Sequence, residues 1–161
     1  MAAEFGQGHL QPFAVDMEFL YISSSLEPAM MTPTVRCVPT HTYENAPRDL
    51  DILLVGGPPL SSRPEGSIKY IKEVCEDKKD KVLMTTCVGG MWVADAGVLD
   101  GIKATTNRGA LAAARQIHPN VDWLDQRWVV TKSGHIDFWT SGGAGAGKCP
   151  QLDSDDLLTL T

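Results

Sequence analysis

Cys87 closes the apolar run Lys81-Val-Leu-Met-Thr-Thr86 and is followed at once by Val88-Gly89-Gly90 and the helix-like Met91-Trp-Val-Ala-Asp-Ala96. A cysteine so placed sits on a sharp strand-to-helix turn that lifts its sulfur out of the sheet. The first N–H groups of the next helix, unpaired within it, give that end a partial positive charge that favours thiolate, the nucleophilic form. Gly89 and Gly90 give the backbone the freedom to turn there. A cysteine taken at random is more often buried and inert. The strand, the glycine pair and the helix weigh against that reading here.

A second glycine pair bears on the same chemistry. Asp51-Ile-Leu-Leu-Val55 is a continuous apolar run that stops at Gly56-Gly57-Pro58-Pro59, the pattern of a strand buried on both faces of a parallel sheet. In such sheets ligands bind beyond the carboxyl ends of the strands. Gly57 and Cys87 both fall at that edge, so the N–H groups of Gly57 and Val88 are placed to hold a negative oxygen beside the sulfur, as an oxyanion hole does. An ordinary tight turn at Gly56-Gly57 is the plainer alternative.

The elements that must carry these residues alternate. Met17 to Ser23 is rich in strand formers, and the segment after it, with Pro28 and Pro33, reads as loop. Thr34 to Pro39 suits a short edge hairpin strand. Between Glu65 and Lys78, Ile68, Ile71, Val74 and Cys75 recur at helical spacing, which makes Cys75 a core residue. Leu99-Asp100-Gly101 closes the helix after Cys87 with a glycine cap. Lys103 to Thr106 suits a short strand. Gly109 to Ile117 is alanine-rich and helical up to Pro119. Arg127 to Thr131 and His135 to Thr140 form a hairpin about Lys132-Ser133-Gly134. Strands alternating with helices imply an α/β sandwich with a largely parallel sheet.

The chain of 161 residues suggests one domain, and 43% apolar with 21% charged side chains is ordinary for a soluble globular protein. A formal charge of -6 argues against a nucleic-acid partner, because phosphate binding needs a concentrated basic surface. Lys78-Lys79-Asp80-Lys81 is interleaved with acids and reads as a solvated helix end. No apolar stretch approaches the roughly 20 residues of a membrane span, and Glu4 with no basic cluster does not suggest a signal peptide. A cytoplasmic address is expected. Cys37, Cys75, Cys87 and Cys149 include no CxxC pair, so neither a metal site nor a disulfide scaffold is indicated, and no cofactor is expected. Cys37 and His41 are four apart but separated by Pro39. His118 and His135 are more often structural than catalytic, and His135 is the one to test. The four tryptophans are core or pocket-lining candidates. Gly142 to Lys148 imitates a phosphate loop, yet Cys149 stands where a hydroxyl is required and too little chain follows. It reads better as a turn beside the active-site rim.

DILLVGGPP, LMTTCVGGMWVADAGVLDGIKATTN and RWVVTKSGHIDFWTSGGAGAG together resemble the ThiJ/PfpI family of the class I glutamine amidotransferase-like superfamily. Fungal members related to isonitrile hydratases are the nearest likeness. The resemblance implies a flavodoxin-like three-layer α/β sandwich, usually a homodimer, with Cys87 as nucleophile or redox-sensitive thiol acting on a small molecule. It further implies that Thr86 supplies a supporting hydrogen bond and that Asn107 stands where members often carry a histidine. Asn107 can orient a ligand but cannot act as a base at neutral pH. The family also opens with a central strand bearing an acid that touches the cysteine, and no such segment precedes Met17. The expectation is therefore a domain over residues 1–147 lacking its first central strand and its C-terminal helix, followed by an acidic, mobile tail over residues 148–161. Two functional classes stay open. One is a cysteine-dependent hydratase or hydrolase with Cys87 as nucleophile and Gly57, Val88, Thr86 and Asn107 around it. The other is a catalytically impaired remnant, or a redox-sensing or interaction protein.

Overall fold

The computed structural model describes residues 15–31, 35–59 and 61–143. Its largest sheet has four strands in the order β5 (Ile52–Val55), β6 (Lys81–Thr86), β10 (Ile136–Ser141), β9 (Trp128–Ser133). The first three run parallel and β9 lies antiparallel to β10. Three two-stranded ladders accompany it: β1 (Ile22–Ser23) with β4 (His41–Thr42), β2 (Ala29–Met31) with β3 (Val35–Cys37), and β7 (Lys103–Ala104) with β8 (Asp122–Trp123). This is the mixed α/β architecture with a mostly parallel sheet that the alternation of strand and helix patterns implies.

Among the described residues three α-helices connect the strands: α1 (Glu65–Glu76), α2 (Gly89–Asp95) and α3 (Leu111–Ile117), the last entered through a 3-10 turn at Arg108–Ala110. Each presents one apolar stripe inward, as amphipathic helices do. The core joins Leu53, Leu83, Ile136 and Phe138 of the sheet to Ile71 and Val74 of α1, Met91 and Val93 of α2, and Leu111 and Ala114 of α3. Cys75 lies in this core, where burial pushes its thiol up to about 11. It is a packing residue.

Several elements differ in detail from the sequence reading. The strand at Met17 to Ser23 is ordered as β only at Ile22–Ser23, and the proline-flanked loop after it contains β2. The helix after Cys87 ends at Asp95, so its terminal glycine is Gly97, at φ 74°, while Gly101 at φ 76° serves a later turn. Strand β8 had no clear sequence signal, being two residues long. The largest difference is at β5. Leu53 and Val55 are buried, but Ile52 and Leu54 are 52% and 61% exposed, so the strand is covered on one face only. A run of four apolar residues is compatible with either arrangement. Among the described residues β5 ends the sheet and pairs only with β6.

Lys81 overturns the reading of the basic run as solvated. It opens β6 on the buried side, 5% exposed, and its Nζ donates to the carbonyls of Val74 and Asp77 and to Asp77 Oδ1 at 2.7, 2.9 and 2.9 Å. The lysine thereby caps the C-terminus of α1, whose last carbonyls have no partner within the helix. The acidic tail at 148–161 and most of the glycine-rich run before it lie outside the described residues.

Candidate active site

At the carboxyl edge of the sheet, β6 hands over to α2 through Cys87 and Val88. Cys87 adopts φ 55° and is the one non-glycine residue with positive φ among those described. A side chain in this left-handed region costs of order 1–3 kcal/mol and persists only where its surroundings dictate it. The surroundings here are tight. A methyl group on Gly89 would come within 2.5 Å of the Gly56 carbonyl oxygen and closer still to that of Val55, and one on Gly90 would meet the Thr105 carbonyl at 2.9 Å. Glycine at these two positions lets α2 start directly against β5 and the strand-end segment after β7.

The loop after β5 is in contact with the elbow. A methyl on Gly57 would lie 2.8 Å from Cys87 Cβ and 3.1 Å from the Val88 nitrogen. Neither the Gly57 nor the Val88 N–H donates a hydrogen bond to any described residue. From the far side, the segment after β7 supplies two contacts. The Thr106 hydroxyl donates to the Cys87 carbonyl at 2.8 Å, and the Asn107 amide donates to Cys87 Sγ at 3.3 Å. The end of β10 closes the remaining side, where a methyl on Gly143 would sit 3.7 Å from Sγ and 3.4 Å from Asn107 Nδ2. Cys87 as a residue is partly exposed, unlike the buried Cys75. Behind it, hydroxyls bind the elements together: Thr105 N–H donates to Thr140 Oγ1 at 2.9 Å, Thr105 Oγ1 to the Gln126 carbonyl at 2.9 Å, and Ser141 Oγ to the Thr85 carbonyl at 3.0 Å.

The geometry thus gathers Cys87, Gly57, Val88 and Asn107 in one place. Thr86 adjoins them, its carbonyl oxygen 3.2 Å from where a methyl on Gly57 would lie. It ends β6 with its hydroxyl making no hydrogen bond among the described residues, and the hydroxyl that supports the elbow belongs to Thr106. The alternation of β6 explains this, since Lys81, Leu83 and Thr85 point to the buried face and Thr86 to the other. The Thr-Thr pair ahead of Asn107 was the available sequence signal for Thr106. The described histidines lie elsewhere. His135 Nε2 is 3.1 Å from the Cys75 carbonyl, at the opposite edge of the sheet. His118 Nε2 stands 3.0 Å from Asp95 Oδ1, without hydrogen-bond alignment, and Asp95 is also held by Arg63 at 2.7 Å. Cys37 and His41 fall on separate ladders, and no cluster of three metal-ligating side chains occurs among the described residues.

The DJ-1/PfpI family model matches residues 9–148, a span that takes in the elbow, the glycine pair and the strand-end segments around it. The chain belongs to the DJ-1/PfpI family. Solved structures of this fold align over most of it. A ThiJ/PfpI family protein from Pseudomonas syringae is 18% identical over 89% of this chain and 55% of its own, with a TM-score of 0.61. A two-domain protein from Anabaena variabilis with DJ-1/ThiJ/PfpI-like and ferritin-like domains is 18% identical over 80% of this chain and 36% of its own, at 0.63. An AraC family transcriptional regulator from Pseudomonas putida is 17% identical over 85% and 72%, at 0.67. At these identities the likeness is one of fold. This DJ-1/PfpI chain spans only 55% and 36% of the first two proteins. No curated protein matches it. Among the described residues no helix is long and apolar enough to cross a membrane.

Proposed function

We propose that this DJ-1/PfpI chain is a cysteine-dependent hydratase or hydrolase of small electrophiles, with Cys87 as its nucleophile. The single observation that carries the reading is the strained backbone at Cys87, φ 55°, with its sulfur accepting from Asn107 and its neighbouring N–H groups, on Gly57 and Val88, without partners among the described residues. A conformation that costs stability and holds a nucleophile beside donors free to meet developing charge suits covalent catalysis.

Isonitrile hydration illustrates the chemistry and follows the nearest likeness in the sequence. The thiolate adds to the terminal carbon, a carbon–sulfur bond forms, and water supplies the proton that makes a thioimidate. Hydroxide then adds to the same carbon, the carbon–sulfur bond breaks, and the formamide leaves with the thiolate regenerated. The N–H groups of Gly57 and Val88 stabilise the negative charge that develops beside the sulfur. The protein is taken to act in the cytoplasm as a homodimer on a small-molecule substrate.

Incubation of purified protein with an alkyl isonitrile, followed by carbon NMR for the formamide, tests the assignment. Turnover by the native chain and none by Cys87→Ser is the expected result. Equal formamide production by both would remove Cys87 from the chemistry. An alkylatable Cys87 with no turnover of isonitriles, activated esters or dicarbonyl compounds would favour the redox-sensing alternative, in which an accessible thiol is oxidised in place of catalysing a reaction.

A further inference from the structure

Asn107 is the N-cap of the 3-10 turn at Arg108–Ala110, and its Oδ1 accepts the Gly109 N–H at 2.9 Å. That bond fixes which way the carboxamide faces. With the oxygen committed to Gly109, the NH2 group is turned to Cys87 Sγ, 3.3 Å away. The preceding residue holds the elbow carbonyl through its hydroxyl at 2.8 Å. Two adjacent side chains therefore grip Cys87 at both ends, one at the carbonyl and one at the sulfur.

The described segments that meet at the elbow are Gly56–Gly57, Val88 to Gly90, Thr105 to Asn107 and Gly142–Gly143, and none contains an ionisable side chain. Two charged residues that flank these segments are engaged elsewhere: Arg108 with Asp125 at 2.8 Å, and Asp95 with Arg63 at 2.7 Å. The Asn107 amide is the only side chain among the described residues that hydrogen-bonds the sulfur. Resting on the assignment of Cys87 as the nucleophile, we propose that Asn107 is a positioning residue that holds negative charge on the sulfur by donating to it, and that no general base among the described residues assists the thiol. A carboxamide donor favours the charged over the neutral sulfur, but it takes up no proton at neutral pH. The consequence for substrate class is direct. Suitable electrophiles are those in which water can protonate the atom that receives the electron pair, the heteroatom of a carbonyl or a nitrile or the terminal carbon of an isonitrile.

Asn107→Asp separates this role from a structural one, because a carboxylate keeps the oxygen that accepts from Gly109 while replacing the donor with a negative oxygen beside the sulfur. Iodoacetamide is the probe: the thiolate displaces iodide, a carbon–sulfur bond forms and the carbon–iodine pair leaves with iodide. At pH 7 Cys87 alkylation should slow about tenfold in Asn107→Asp and by a smaller factor in Asn107→Leu, and at pH 10 the rates should converge on that of the native chain. Unchanged circular dichroism and melting of Asn107→Asp would show that the turn is intact. Native rates at pH 7 in both variants would overturn the proposal while leaving Cys87 a nucleophile. A native Cys87 that resists iodoacetamide at both pH values would instead remove the nucleophile assignment itself.

Discussion

The left-handed backbone at Cys87 makes a stability prediction of its own. Replacing the residue with glycine removes a Cβ from a conformation that resists one, whereas alanine keeps the strain. Cys87→Gly should therefore be more stable than Cys87→Ala by about 1 kcal/mol in urea unfolding. Equal midpoints would mean that the turn is relaxed. Thr106→Val leaves the Cys87 carbonyl without its hydroxyl donor. We expect a loss of about 1–2 kcal/mol in the same assay, with slower Cys87 alkylation, because the elbow loses one of its two grips. The sequence made Cys87, Gly57, Val88 and Asn107 legible, since a glycine pair after an apolar run and a cysteine before another are local patterns. Thr106 was not legible, because its value lies in a contact with a residue nineteen positions away, set by tertiary packing.

At the level of elements, the C-terminus of α1 depends on a lysine from the next strand. Lys81→Met would leave the Val74 and Asp77 carbonyls without that donor and should cost about 1–3 kcal/mol. Acid should reveal the same contact. The Lys81 hydrogen bond, followed by the bond to the Lys79 amide, holds the Asp77 carboxyl below its ordinary value of 3.8. A folded-state value below the unfolded one means that the unfolded chain binds more protons in between. The contribution is thus fully present above about pH 4 and is lost as pH falls through the folded value. Glu73, lowered from 4.5 chiefly by its hydrogen bond to Arg48, adds in the same direction over a slightly higher range. Lys81→Met should flatten the acid limb of the stability profile below about pH 4 relative to the native chain. An unchanged limb would show that Asp77 does not titrate with folding. The run Lys78 to Lys81 reads as surface because charged residues cluster there, and only the alternation of β6 turns Lys81 inward.

Across the described residues, one face of the main sheet is buried and the other is half-buried to exposed. Leu53, Leu83 and Phe138 enter the core, while Ile52 and Leu54 of the terminal strand stand exposed, as do Met17, Phe19 and Tyr21 ahead of β1. Exposed apolar side chains in such number mark a surface that favours association. The expected outcome is concentration-dependent sedimentation of the native chain that Leu54→Lys suppresses. Identical profiles would exclude this strand from any self-contact. The class of fold was legible because strand and helix patterns alternate along the sequence. The one-sided burial of β5 was not, since four consecutive apolar residues say nothing about which neighbours a strand will have.

Site-resolved alkylation tests the central claim most directly. Folded protein treated at neutral pH with a limiting amount of iodoacetamide, then digested and mapped by mass spectrometry, should carry the label on Cys87 ahead of Cys37, which is also partly exposed, and with Cys75 protected in the core. Label on Cys37 with Cys87 reacting only after denaturation would contradict the account.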